Sequence, residues 1–358
     1  MFSFSYESIY FEITAFCNRN CPYCYNDSNV FGDYLQKEAI YEVLNECQRN
    51  HVKHITISGG EPFCHPDIYD IIERMNELKI TGTFISNLTL LTSDKIEELL
   101  LLGHAIQVTL DSVDEDKNDI TRGKGSYKSV INLLTVARCC DKLDKVALRF
   151  NLSKGNVDEL ERMINLTVEN GMRLLNFALL TKSGRASTFS GVYDHNTDIV
   201  ELAQLMKQMK LLSLKYKEII NIQYSDLKEQ VGCALYSDGE IRLSPKIDPE
   251  GNVYFCQLFT GEENVIGNIR TDILTNILNS RKTVDVANRI RNRKTQQTEC
   301  PNCKFSDFCM CGCPALSYNQ TGSIYDKNDQ CGMIKFFMKE KIKQIGAQND
   351  NKGDYRTE

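Results

Sequence analysis

The chain has 358 residues, 42% apolar and 25% charged, which is a globular mixture with length for two domains. Its net charge of −6 disfavours a phosphate-backbone partner, because nucleic-acid binders cluster Lys and Arg. No apolar run nears the roughly 18 residues that cross a bilayer. Residues 1–13 also lack the basic start and apolar stretch of a secretory signal, so no membrane partner and a cytoplasmic location are expected.

The first two thirds alternate between short β-branched runs and amphipathic stretches. Strands are expected at residues 9–14, 54–58, 83–86, 105–110, 145–151 and 174–180. Helices are expected between them at 35–50, 67–78, 93–102, 127–140 and 157–170, with a further helical stretch around 198–216. Helix starts carry capping residues, as where Ser93 precedes Asp94. Parallel neighbours need crossover helices, so six strand–helix units in series predict an α/β fold with a parallel sheet. Periodicity alone leaves a partial barrel and a doubly wound sheet both open. Beyond about residue 218 helical periodicity fades, Gly, Asn and Cys dominate, and a strand-like piece appears at 253–255. Such a segment needs another source of order, which bound metal supplies. The expected division is a first domain at 1–217, a cysteine-rich domain at 218–346 closing on a helix at 333–345, and a polar tail at 347–358.

Fifteen cysteines are the anomaly. A disulfide framework suits a small secreted chain, whereas an odd count in a large unexported one points to metal or redox chemistry. Cys47, Cys139 and Cys140 fall in helix-like segments and read as small buried residues. Directly after the first strand comes Cys17-Asn18-Arg19-Asn20-Cys21-Pro22-Tyr23-Cys24. Three thiolates in one loop can ligate three irons of a four-iron cluster and leave the fourth free, while zinc wants a fourth ligand and none follows until Cys47. Loops after parallel strands are where such folds place their chemistry. The second strand runs into Ser58-Gly59-Gly60-Glu61-Pro62, whose glycines allow close approach of a ligand and whose carboxylate suits a ligand ammonium. Cys64, close behind, reads as a packing thiol.

In this order and on consecutive strands, the two motifs make the chain similar to the radical S-adenosylmethionine superfamily. The resemblance implies a partial (β/α)6 barrel of the TIM type. It implies that Cys17, Cys21 and Cys24 hold a 4Fe-4S cluster whose open iron chelates the amino and carboxylate groups of S-adenosylmethionine. By the same resemblance Tyr23 packs near the adenine, and Glu61, in its turn with Gly59, Gly60 and Pro62, grips the methionine amino group. Cleavage of the sulfonium bond would give a 5′-deoxyadenosyl radical that takes hydrogen from a substrate, with an electron donor such as flavodoxin or ferredoxin. Val108-Thr109-Leu110-Asp111-Ser112 resembles the fourth-strand motif near the ribose, and Arg122 resembles the basic position after it. The bland reading of Thr109, Asp111 and Arg122 is strand-end capping and a surface charge. Ser86-Asn87-Leu88 stands where many relatives carry Thr-Asn-Gly, and it retains Asn87 as a candidate ligand residue.

Farther on, Cys300-Pro301-Asn302-Cys303 is followed by Cys309, Cys313 and Cys331, with Gly251, Cys256 and Cys233 upstream. This resembles the seven-cysteine SPASM domain of peptide-modifying radical enzymes. The resemblance implies that Cys300, Cys303, Cys309 and Cys331 close one auxiliary 4Fe-4S cluster and that Cys313 joins Cys233 and Cys256 at another, making three clusters in all. Cys311 is then either a spare thiol or the missing fourth ligand of the incomplete cluster. A pair of structural zinc sites in a non-enzymatic interaction module is the competing reading of the same spacing.

SPASM enzymes mostly act on ribosomally made peptides or protein side chains, so the resemblance implies a peptide maturase forming a thioether or carbon–carbon crosslink. A peptide epimerase, a sulfatase-maturase-like side-chain oxidase and a cofactor-biosynthesis enzyme are the alternatives. Cys256 is followed by Gln257 where sulfatase-maturing relatives carry an acid. With sixteen residues ahead of Cys17, no fused leader-binding domain is expected there, so a precursor peptide would be recognised by the barrel mouth, the SPASM region or a separate leader-binding protein.

Overall fold

The computed structural model describes residue 6 and residues 8–224, 236–237, 240–241, 243–297, 299–309 and 311–339. The chain begins β1 (Tyr10–Thr14), α1 (Lys37–Arg49), β2 (His54–Gly59), α2 (Ile68–Glu77), β3 (Thr81–Ile85), α3 (Ser93–Leu101) and β4 (Ala105–Leu110). It continues with α4 (Glu115–Arg122), α5 (Ser126–Cys139), β5 (Val146–Leu152), α6 (Leu160–Glu169), β6 (Leu174–Leu179), α7 (Ile199–Tyr216) and β7 (Asn221–Gln223). Strands β1 to β7 lie side by side in sequence order, each parallel to the next. A doubly wound sheet reverses its order at a switch point, and this one does not. Right-handed crossovers in one constant direction put every helix on the same face, so the sheet curls with its bare face inward. Strand order therefore decides for the partial barrel.

The burial pattern records that geometry. Val108, Leu110, Leu148, Phe150 and Leu152 are at most 2% exposed against the helices, and burying each contributes about 1.5–3 kcal/mol. The alternate residues Gln107, Thr109, Arg149 and Asn151 are half-buried. A parallel sheet covered on both faces would read as continuously buried. Here the inner face is reached by solvent.

The later elements are β8 (Tyr236–Ser237), β9 (Glu240–Ile241), β10 (Lys246–Ile247), β11 (Asn252–Tyr254), β12 (Val265–Asn268), α8 (Leu274–Leu278), α9 (Arg281–Arg291), α10 (Arg293–Gln296), α11 (Ser306–Cys309) and α12 (Pro314–Thr321). Strand β10 adds in parallel to β1, and β11 and β12 follow antiparallel, so one sheet joins the barrel to the cysteine-rich part. Buried Glu46 on α1 reinforces the join by accepting from the Leu274 and Thr275 amides at the start of α8 (2.9 and 2.8 Å). No helix of the described residues is long and apolar enough to cross a membrane.

Several expectations need correction. The cap of α3 is Thr92, whose hydroxyl accepts from the Lys95 amide, and Ser93 is the first helical residue. Helix α4 was not expected, because its sequence is polar all round and buries only Asn118. Its signals were Asp114, which caps it, and Gly123, which ends it at φ 91°. Cys139 is exposed in the last turn of α5 and Cys140 is half-buried, so of the three helical cysteines only Cys47 is a core residue. The closing helix starts earlier than expected and covers 330–339. Cys233, residues 340–345 and the tail at 347–358 lie outside the described residues.

Candidate active site

Cys17, Cys21 and Cys24 sit on the loop leaving β1, with a turn from the Cys24 amide to the Cys21 carbonyl (3.3 Å). The three thiols lie within electrostatic reach of one another. Burial first of all pushes the Cys17 thiol up to about 12, and Glu61 and the other two sulfurs add to it. Burial likewise raises Cys21, against which the Arg122 guanidinium acts as the opposing influence.

The Gly-Gly-Glu-Pro turn packs directly on the root of this loop. The Gly60 amide donates to the Thr14 carbonyl (2.6 Å) and the Glu61 amide to the Phe16 carbonyl (2.9 Å). A Cβ on Gly59, which has φ 131°, would lie 2.2 Å from the Thr14 oxygen, and one on Gly60 would lie 2.1 Å from the Phe16 oxygen. The glycines thus serve the close approach of one chain segment to another. Pro62 starts a single 3₁₀ turn. Glu61 is 1% exposed, and burial raises its carboxyl to about 7. It accepts from the Ser86 hydroxyl (2.8 Å), the Asn87 amide (2.7 Å) and the Phe63 amide (3.3 Å). A carboxylate offers about four lone-pair directions, so one remains for another donor.

Asn87 reaches from the end of β3 into the cysteine loop, donating to Asn18 Oδ1 (2.9 Å) with Cys17 Sγ at 3.9 Å. Leu88, standing where relatives carry glycine, is buried in the left-handed conformation at φ 67°. The turn is kept at the expense of roughly 1–2 kcal/mol of backbone strain. At the end of β4, Asp111 accepts from both Arg122 and the Tyr23 hydroxyl. Tyr23 is buried against Phe189 (5.1 Å between rings), and the Arg122 guanidinium lies over its ring, 5.4 Å from the centre. Arg122 is therefore a half-buried partner of Asp111, Tyr23 and Cys21 rather than a free surface charge. Thr109 sits one inward position below Asp111 on β4.

Sequence reasoning missed the segment after β6. The Arg185 amide donates to the Cys24 carbonyl (3.0 Å), its Nε to the Cys21 carbonyl (2.8 Å), and its Nη1 pairs with Asp27 (2.9 Å). Gly184, at φ 52°, lets the backbones meet, since a Cβ there would lie 2.5 Å from the Cys24 oxygen. The one available signal was a Gly-Arg pair in the polar loop after the sixth strand.

The second group of thiols lines a cavity of about 30 Å³ holding Cys300, Cys303, Cys309, Cys311 and Cys331. Burial pushes Cys300 up to about 12, helped by a hydrogen bond to the Cys311 thiol. Cys313 lies apart from this cavity, at the start of α12, where the amides of Ala315 and Leu316 face its sulfur. Both Cys256 and Cys313 pack on the main core. Among the described residues no three His, Cys, Asp or Glu side chains close on a single metal-ion position. Arg293, 2% exposed, also escaped the sequence reading; it donates to the Gly312 carbonyl (2.7 Å), the Ile324 carbonyl and the Ser317 hydroxyl (3.0 Å).

Residues 11–167 match the family model of the radical SAM superfamily, and residues 242–304 match SPASM, an iron–sulfur cluster-binding domain. A mycofactocin maturase, MftC, of Mycolicibacterium smegmatis is 24% identical over 315 residues, covering 86% of this chain and 78% of its own. A GTP 3′,8-cyclase of Clostridium perfringens is 31% identical over 210 residues, 56% of this chain and 62% of its own. The crystal structure of Streptococcus suis SuiB bound to precursor peptide SuiA superposes with a TM-score of 0.72 at 16% identity, covering 91% of this chain and 76% of that one. Such domains imply 4Fe-4S clusters and S-adenosylmethionine. The chain is therefore an enzyme whose residues 11–167 form a radical SAM superfamily domain and whose residues 242–304 form a SPASM domain.

Proposed function

We propose that this enzyme matures a ribosomally synthesised peptide, forming a thioether or carbon–carbon crosslink. The observation that carries the reading is the solvent-reached inner face of the barrel, roomy enough for side chains of a polymeric substrate, with the cysteine loop at the end of its first strand. The similarity to a mycofactocin maturase over 86% of the chain supports a peptide, while that to an AdoMet-dependent heme synthase of Methanosarcina barkeri over 90% supports the cofactor-biosynthesis alternative equally.

In this reading Cys17, Cys21 and Cys24 hold one cluster, and Cys300, Cys303, Cys309 and Cys331 hold another. Cys256 and Cys313, with Cys233, serve a third. With S-adenosylmethionine bound, the first cluster supplies a 5′-deoxyadenosyl radical. Glu61 offers its remaining lone pair to the methionine ammonium, in a pocket dry enough to strengthen the bond. Asn87 and Arg185 keep the cysteine loop in place, and Arg122 offsets charge at Cys21 while locking Tyr23 and Asp111 together. A separate leader-binding protein and a flavodoxin- or ferredoxin-type donor complete the scheme.

The test uses anaerobically reconstituted enzyme and short peptides encoded beside its gene. A product lighter by two hydrogens, with nothing added, is expected, together with loss of 5′-deoxyadenosine formation in the Cys17→Ala/Cys21→Ala/Cys24→Ala variant. Full cleavage by that variant would remove the cysteine loop from the chemistry. A product of unchanged mass would replace crosslinking by epimerisation.

A further inference from the structure

The barrel lumen carries an ordered row of hydrogen-bonding side chains that the chemistry above does not use. Thr109, Arg149, Asn176 and Gln223 are direct partners across β4, β5, β6 and β7. Partners in a parallel register share a face, and this is the inner one, because the alternate residues Val108, Phe150, Phe177 and Ile222 are buried against the helices. All four row residues are half-buried.

Arg149 donates through Nε to Asn151 Oδ1 (2.9 Å), which fixes the guanidinium plane. Among the described residues no carboxylate pairs with it. The lumen's own carboxylate, Glu12, is 2% exposed and is faced by Lys246 on β10 and by the Tyr25 hydroxyl (3.3 Å). Lys246 favours the charge of Glu12 and Asp248 opposes it, and neither carboxylate forms an ion pair with Arg149 among the described residues. Beside it, Asn176 Oδ1 is buried with no hydrogen-bond partner. A buried acceptor left unpaired and a guanidinium without a counter-ion are both costly. Together they describe a site built for something that brings an anion and an adjacent N–H.

We propose that Arg149, with Asn176 beside it, seats a carboxylate of the substrate inside the barrel and so selects an acidic peptide. The fork of the guanidinium matches a carboxylate through two parallel bonds, and Asn176 accepts from a neighbouring peptide N–H. This rests on the peptide reading above for the class of substrate, but the row itself requires only a carboxylate.

The probe is a set of four fluorescein-labelled pentapeptides, with Glu or Gln at the centre and a free or amidated C-terminus. Their binding to reconstituted enzyme with S-adenosylmethionine is read by fluorescence anisotropy. A charge-assisted fork predicts about tenfold or more tighter binding of the peptide that carries the relevant carboxylate. The Glu–Gln arm and the terminal arm say which carboxylate that is. Arg149→Gln should erase the preference, and Arg149→Lys, which keeps the charge but loses the fork, should retain part of it. The proposal is overturned by equal binding of all four peptides or by a preference that survives Arg149→Gln. A parallel tenfold fall in S-adenosylmethionine affinity in Arg149→Gln also overturns it, because the row would then serve the cofactor. Failure of the peptide-maturation reading looks different: charge-selective binding persists while no bound peptide changes mass.

Discussion

The two cysteine groups are held by different means. Loop 17–24 is gripped from four directions by strand ends: the Gly59–Gly60 turn after β2, Asn87 after β3, the Asp111–Arg122 pair after β4, and Gly184–Arg185 after β6. Its shape follows from a scaffold that folds through its own apolar core. Among the described residues, the group from Cys300 to Cys331 is not held by strand ends. Its short elements, an isolated 3₁₀ turn at 300–302 and the four-residue α11, are linked by local turns and by one buried cation, Arg293. Helices this short do not stand alone in water. The first site is positioned by the fold, whereas the second relies on Arg293 and on the metal it is read to bind.

Removing that cation is the sharpest way to break the comparison. Arg293→Met leaves the Gly312 and Ile324 carbonyls without their donor and should cost about 1–3 kcal/mol for each, the penalty of a buried acceptor left unpaired. Reconstituted variant should lose about four irons while still cleaving S-adenosylmethionine at the barrel site. Iron quantification beside 5′-deoxyadenosine formation checks it. Equal loss at both sites would mean that the two groups are held as one.

Acid sharpens the comparison from the barrel side. His104 on the α3–β4 connection is 0% exposed, with Nδ1 accepting from the Gly82 amide (3.0 Å) and Nε2 facing Asn76 Oδ1 (3.0 Å). A second proton would set Nδ1–H against the Gly82 N–H. Burial, with His54 adding a smaller effect, accordingly lowers its pKa from 6.5 to about 4. The unfolded chain binds this proton first, so the stability that neutral His104 preserves is intact above about pH 6.5 and is lost as pH falls toward 4, by about 3 kcal/mol. Urea midpoints at pH 7.5 and 4.5 should diverge less in His104→Gln than in the parent. An unchanged difference would assign the acid limb elsewhere.

How much of this was readable beforehand differs between the same two regions. The six strands, the parallel sheet and the thiol loop all lay in contiguous patterns, and local pattern is what sequence reasoning resolves. Helix α4 was missed because amphipathicity, the signal used, is absent from an element that buries one side chain. Resemblance alone marked Arg122 as more than a surface charge, because its pairing with Asp111 across a turn leaves no local pattern, and Arg185 and Arg293 were silent because their acceptors are backbone carbonyls far away in the chain. The alternation of Arg149 and Asn151 with Leu148 and Phe150 was visible, but only the strand order tells which face is a lumen.

The smallest effect concerns Cys311, whose role the spacing left open between a spare thiol and a ligand beside Cys256 and Cys313. Its thiol instead meets Cys300 in the cavity shared with Cys303, Cys309 and Cys331, while Cys313 points elsewhere. It also holds φ at 64°, which costs a non-glycine residue roughly 1–2 kcal/mol. Two substitutions separate side chain from backbone. Cys311→Ala removes the thiol contact and keeps the strain, so it should destabilise by about 0.5–1.5 kcal/mol. Cys311→Gly removes both, and despite the flexibility glycine adds to the unfolded chain it should be the more stable of the two by about 1 kcal/mol, reversing the usual order. If Cys311 is a neighbour of the four-cysteine set and no ligand of the other cluster, iron content and turnover survive in both variants. Loss of about four irons in either one would return Cys311 to the ligands. Urea unfolding and iron analysis on the same preparations decide between these outcomes, and they do so without knowledge of the substrate.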